Sequence, residues 1–190
     1  MVIKIKSAKN TGHYPILIWL VGLLAFPAAA AAAEKSDADK TRVVYQMFAE
    51  YSKAFPSVPV MSPRKAAALA ESSNLVIVDV RQDEEMKVSM IPGAITRTAF
   101  LEHLEDYKNK AIVAYCTIGY RSGLFAEQMK ANGVDVSNLK GGILGWALEG
   151  GKVYDANGIS RRIHVYGKKW KYVPNGYEPV MFGFFDRILK

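Results

Sequence analysis

One stretch of this 190-residue chain holds the residue types that nucleophilic chemistry needs: Cys116-Thr117-Ile118-Gly119-Tyr120-Arg121-Ser122. Cys116 is the sole cysteine. It follows an apolar run, Ala111-Ile112-Val113-Ala114-Tyr115, that predicts a buried strand. It precedes Gly123-Leu124-Phe125-Ala126-Glu127-Gln128-Met129-Lys130, which predicts a helix. A cysteine at such a turn faces backbone N–H groups and the positive end of the helix dipole, which favour an anion such as a thiolate. Gly119 permits a tight bend, and Arg121 places positive charge beside the sulfur. A lone cysteine is more often a small buried hydrophobe. The glycine, arginine and serine in the same turn are what point to function.

The rest of the composition removes other chemistries. One cysteine allows no intramolecular disulfide and no cysteine-rich zinc site. The three histidines, His13, His103 and His164, are scattered and make neither a metal-spaced cluster nor a Ser-His-Asp set. The net charge of +7 is uneven. Residues 1–33 carry three lysines and no acid, residues 34–151 carry 14 basic and 15 acidic residues, and residues 152–190 carry 8 basic and 3 acidic. The middle is neutral and the basicity belongs to the ends, so no nucleic-acid partner is expected.

Elements that could position the cysteine are readable around it. Residues 1–33 predict a cleaved signal peptide. Lys4, Lys6 and Lys9 precede the apolar run from Ile16 to Phe26, Pro27 breaks it, and a run of alanines follows. An uncleaved anchor is the rival, because the alanines bring the apolar stretch near the length of a span. Either way the domain is expected outside the cytoplasm, periplasmic or secreted. Val44, Met47, Phe48, Tyr51 and Phe55 fall at helical spacing and predict an amphipathic helix over residues 38–54 that packs on the domain. Pro59-Val60-Met61 predicts a short entry strand, and Ser62-Pro63 an N-cap with proline opening a helix to residue 70 or 72. Leu75-Val76-Ile77-Val78-Asp79-Val80 is a β-branched run suited to a strand buried on both faces. Asp79 and Arg81 fall at its C-terminal end, the edge where open α/β sheets build their sites. A short helix is expected within residues 82–90. Ile91-Pro92-Gly93-Ala94-Ile95 is a turn into a strand. Residues 100–107 predict a helix with Leu101 and Leu104 inward. Asn132-Gly133 ends the helix after the cysteine. A further short strand follows near Val134 to Leu139, and after the Gly141-Gly142 turn a last helix holds Trp146. Strands alternating with helices predict a parallel sheet covered on both faces.

Four blocks, in this order, resemble the single-domain rhodaneses, a family of sulfurtransferase modules. They are Val78-Asp79-Val80-Arg81, Ile91-Pro92-Gly93-Ala94-Ile95, Cys116 to Ser122, and Leu139-Lys140-Gly141-Gly142-Ile143-Leu144-Gly145-Trp146. Composition and patterning mark a signal peptide (1–33), an N-terminal helix and linker (34–57) and a basic aromatic extension (152–190) around the rhodanese-like domain (58–151) that the resemblance covers. The resemblance implies an α/β fold with a small parallel sheet of about five strands and helices on both faces. It assigns Cys116 as a catalytic nucleophile that carries a sulfane sulfur as a persulfide. Thr117, Ile118, Gly119, Tyr120, Arg121 and Ser122 would then hold the persulfide or an anionic donor, and Asp79 and Arg81 would brace the site. For these two a purely structural ion pair at the sheet edge is an equal reading. No metal and no organic cofactor is implied. The donor is a small anionic sulfur compound such as thiosulfate, and the acceptor a thiol or cyanide.

One position departs from the family, which often has His before the Ile-Pro-Gly-Ala block where this chain has Met90. A polar contact there would have to be replaced by packing. Two rival readings remain: a sulfur-carrying or partner-binding module without turnover, and a cysteine-dependent phosphatase or arsenate reductase. Those phosphatases place one residue more between Cys and Arg than the four that separate Cys116 from Arg121. The shorter loop suits a single sulfur better than a phosphate. In the extension, Asp155-Ala156-Asn157-Gly158 is a turn and Ile163-His164-Val165-Tyr166 a strand, which together predict a hairpin. Residues 181–189 predict an amphipathic ending. The aromatics of residues 152–190 are expected to pack on the domain. A membrane-surface or protein contact and a wall for the active site are the functional alternatives.

Overall fold

A computed structural model describes residues 35–182. The targeting segment expected at residues 1–33 and most of the amphipathic ending expected at 181–189 lie outside the described residues.

The sheet is the expected one. Five strands lie in the order β1 (Val60–Met61), β5 (Ser137–Leu139), β4 (Ala111–Tyr115), β2 (Leu75–Asp79), β3 (Ile95–Thr96). Every pairing among them is parallel. The β2–β4 register pairs Leu75 with Ala111 and Asp79 with Tyr115, so both strands end at one level. The alternation of a strand explains why both runs are apolar throughout. Ile77, Val113 and Tyr115 enter one buried cluster, and Val76, Val78, Ile112 and Ala114 enter another across the sheet.

Helices cover both faces. They are α1 (Asp37–Ser52), α2 (Pro63–Glu71), α3 (Asp83–Val88), α4 (Arg97–Glu102), α5 (Tyr120–Ala131) and α6 (Gly142–Leu148). Ser36 caps α1 by accepting the Asp39 N–H at 3.1 Å, and Ser62 caps α2 by accepting the Lys65 N–H at 3.2 Å. The apolar stripe of α1 does what its spacing predicted: Val44 and Phe48 are buried, with Val44 in the same cluster as Ile143 and Leu144. The segment after β3 differs from expectation. The helix is a short α4 followed by a 3-10 turn at Leu104–Tyr107. Phe100 is its fully buried residue, whereas Leu101 is 44% exposed. Leu104 packs against the cluster that holds Phe100, as expected, while the docking of Phe100 between Tyr107 and Phe125 turns Leu101 outward.

The extension packs on the domain. A hairpin does form around residues 155–158, but its arms are β6 (Val153–Asp155) and β7 (Gly158–Ser160). The Ile163 strand, β8 (Arg162–His164), is not an arm of it. It pairs in parallel with β9 (Glu178–Val180), after the chain has looped through a 3-10 turn at Lys168–Trp170. Val153, Ile163 and Val165 are fully buried in the cluster that α1 and α6 share. The extension also bonds to α1: Asn175 N–H donates to Asp37 at 2.8 Å, and Lys40 donates to the Asn175 side chain. The described flanks of the predicted 58–151 domain, residues 35–57 and 152–182, thus both contribute to its core. Met90, where the sequence departs from its family, exchanges two backbone hydrogen bonds with Tyr154 of β6 (2.8 and 2.9 Å).

Candidate active site

Cys116 follows the last residue of β4, and α5 begins four residues later. The turn between them is shaped by Gly119, whose φ of +116° lies in the left-handed region. A Cβ there would also come within 2.4 Å of the Phe48 ring, so α1 closes on the loop only because this residue is glycine. The Gly119 N–H donates to Cys116 Sγ at 3.2 Å. Ser122 Oγ lies 3.6 Å from the same sulfur. Its single proton has a closer acceptor, Asn138 Oδ1 at 2.8 Å, and the Asn138 amide in turn donates to the Gly119 carbonyl at 2.8 Å. Asn138, buried on β5, therefore ties the middle of the loop, at Gly119, to its last residue, Ser122.

The loop is gripped from the other side by α6. Ile143 N–H donates to the Cys116 carbonyl at 2.9 Å and Leu144 N–H to the Thr117 carbonyl at 3.3 Å. That approach explains the Gly141-Gly142 pair. A Cβ on Gly142 would sit 2.4 Å from the Cys116 carbonyl oxygen and 2.7 Å from that of Thr117, at a φ of +57°.

Above Cys116 opens a cavity of about 390 Å³, lined by Cys116, Thr117, Ile118, Tyr120 and Arg121 with Tyr51 of α1 and Tyr166, Lys169 and Trp170 of the extension. Of the residues singled out in the sequence, Gly119 and Ser122 are buried behind the loop and do not line it. Arg121 does line it, but its charge is already matched. Both terminal nitrogens donate to the carboxylate of Glu85 on α3, at 2.6 and 2.8 Å. Glu85 also accepts from His164 Nδ1 at 3.1 Å and from the Gln82 N–H at 3.0 Å. Burial alone would push the Glu85 carboxyl up. The hydrogen bonds from Arg121 and His164 and the Arg121 charge outweigh it and hold the group well below the usual carboxylate range. Burial opposes the charge on Arg121, and Glu85 with Cys116 more than restores it.

Asp79 and Arg81 meet each other, not the cavity. Arg81 Nε and Nη2 donate to Asp79 at 2.9 and 2.7 Å, and Nη2 reaches the Ser89 carbonyl at 2.7 Å. The Tyr115 hydroxyl donates to Asp79 at 2.5 Å and accepts the Ile91 N–H at 3.1 Å. Burial and the Asp79 charge push the Tyr115 phenol well above its ordinary value. Sequence reasoning missed Glu85, Asn138 and His164. Each lies far along the chain from Cys116, and only the fold brings them near it.

A cysteine at a strand-to-helix turn on the C-terminal edge of a five-stranded parallel sheet defines a class of α/β sulfur- and phosphate-handling proteins. Comparison with known proteins narrows the class. The Rhodanese-like domain family matches residues 62–149. A protein named sulfurtransferase from Allochromatium vinosum is 34% identical over 86 residues, which cover 43% of this chain and 80% of that one. The chain belongs to the rhodanese-like family. A tRNA uridine(34) hydroxylase of Shouchella clausii is 38% identical over 96 residues, 44% of this chain and 29% of its own length. A solved rhodanese-like domain protein from Staphylococcus aureus is 30% identical, with a TM-score of 0.42 over 50% of this chain and 97% of that one.

Proposed function

We propose that this protein is a sulfurtransferase that moves a sulfane sulfur from a donor such as thiosulfate to a thiophilic acceptor through a persulfide on Cys116. The observation that carries the reading is the placing of the one cysteine. Its sulfur takes the Gly119 N–H at the floor of an open cavity, at the N-terminal end of α5. The thiolate attacks the outer sulfur of the donor, the donor's S–S bond breaks, and sulfite leaves with the electron pair. The persulfide anion is then met by the loop N–H and the helix dipole. Cyanide or a thiolate attacks the outer sulfur in turn and restores the Cys116 thiolate.

The length of the loop favours sulfur over phosphate. Four residues separate Cys116 from Arg121, one fewer than in the cysteine-dependent phosphatases, and the tighter turn suits a single sulfur better than a phosphoryl group. The reading includes export, on the strength of the lysines and apolar run of residues 1–33. Thiocyanate formation from thiosulfate and cyanide by the wild-type chain, lost in Cys116→Ser, is the expected result. Equal activity in both proteins, or hydrolysis of an aryl phosphate without thiocyanate, would overturn the reading.

A further inference from the structure

The cavity over Cys116 is larger and more aromatic than an inorganic anion needs. Its volume of about 390 Å³ falls in the range of pockets that enclose organic ligands, about 300–1,000 Å³. Four of its walls are aromatic and come from three separate segments: Tyr51 from α1, Tyr120 from the cysteine loop, Tyr166 and Trp170 from the extension. They are arranged against one another. Tyr51 and Tyr120 meet edge to face at 5.8 Å, Tyr166 and Trp170 at 5.7 Å, and Trp170 Nε1 donates to the Tyr51 hydroxyl at 3.3 Å. These rings and Ile118 thus line the same cavity as the sulfur. Tyr120 and Tyr166 are each 45% exposed, so this aromatic surface is open to a ligand and not consumed by the core.

The charge around the cavity points the same way. Arg121 is matched by Glu85 and also lies over the Tyr166 ring, 5.4 Å from its centre. Among the described residues that line the cavity, the charge beyond that pair is Lys169, whose ammonium lies 4.4 Å from the centre of the Trp170 ring. One such cation and a ring-lined chamber suit a monoanion with a flat apolar body better than a small dianion.

We infer that the sulfur donor of this site is an organic sulfane compound, a monoanion whose apolar, preferably aromatic, body stacks between Trp170, Tyr166 and Tyr120 while its outer sulfur meets Cys116. The inference rests on the sulfurtransferase reading and specifies its substrate class. For a thiosulfonate, R–SO₂–S⁻, the Cys116 thiolate bonds to the terminal sulfur, the bond between the two donor sulfurs breaks, and the sulfinate R–SO₂⁻ leaves with the electron pair. Charge is conserved and no further oxidant or reductant is needed.

Two donors that differ only in R test it: benzenethiosulfonate and methanethiosulfonate, with thiosulfate as reference. The full chain is assayed for thiocyanate with cyanide as acceptor, and each kcat/KM is normalised to the donor's uncatalysed reaction with cyanide. The expected ratio of phenyl to methyl donor is about tenfold or more. Trp170→Ala should reduce that ratio by roughly threefold or more, through lost ring contact with the phenyl donor. Tyr166→Ala reads the same ratio where Trp170→Ala does not fold. A phenyl-to-methyl ratio near one, or a ratio that both variants leave unchanged, overturns the substrate class while sulfur transfer stands. Absence of thiocyanate from every donor overturns both.

Discussion

Asp79–Arg81 and Glu85–Arg121 both pair an arginine with a carboxylate at the C-terminal edge of the sheet, yet they stand in different surroundings. In the first pair both side chains are wholly inaccessible; Tyr115 and the Ser89 carbonyl add to their bonding, and Arg81 Nη1 is buried without a hydrogen-bond partner among the described residues. In the second, Glu85 is buried at 1% exposure while Arg121 keeps 30% and borders the cavity. The first pair joins the end of β2 to the turn before β3. The second joins α3 and, through His164, the extension to the cysteine loop. Residue type and position at the sheet edge do not separate a bracing pair from a site-lining one. The opening beside it does.

The largest expected effect follows from breaking the sealed pair. Arg81→Ala leaves Asp79 as an uncompensated buried charge and should destabilise the fold by about 3–5 kcal/mol in denaturant unfolding. A loss below about 1 kcal/mol would show that water reaches this pair and would erase the contrast. Arg121→Ala should be milder for stability, about 1–3 kcal/mol, because Glu85 retains His164 and the Gln82 N–H. Its activity per folded molecule should fall, whereas that of Arg81→Lys should hold. Equal activity losses would mean that the two pairs act alike.

The smallest effect is in pH dependence. Glu85 is held below its ordinary value of 4.5, so the unfolded chain takes up its proton first as pH falls. The stability it supplies is complete above that ordinary value and is lost as pH drops toward the folded one. The Tm difference between wild type and Glu85→Gln should therefore hold steady between about pH 7 and about pH 5 and narrow as the pH falls below about 4.5. A difference that stays constant below that value would contradict the assignment of Glu85 as an ionised partner of Arg121.

Much of this architecture was legible in the chain. The β-branched runs of β2 and β4, the capping serines and the turn glycines carry their own local physics, and the sheet follows from their alternation. The loop from Cys116 to Ser122 was legible because its residues are contiguous. The role of Gly141-Gly142 became clear only with the Cys116 and Thr117 carbonyls beside it. Glu85, Asn138 and His164 carry no local signal: an acid on a short helix, an amide in a strand and an isolated histidine have ordinary solvated roles. Leu101 misled because a helix of six residues has too little periodicity to fix its phase. The β8 strand misled because a turn signal nearby suggests an antiparallel partner, while its real partner lies beyond a long loop.

The central claim is that Cys116 carries the transferred sulfur. Intact-mass measurement after incubation with a sulfane donor tests it most directly. The account predicts a gain of one sulfur on wild type, mapped to Cys116, removed by cyanide with formation of thiocyanate and absent from Cys116→Ser. A wild-type chain that gains no sulfur from thiosulfate or from either thiosulfonate, with its thiol still reactive toward an alkylating agent, would contradict it.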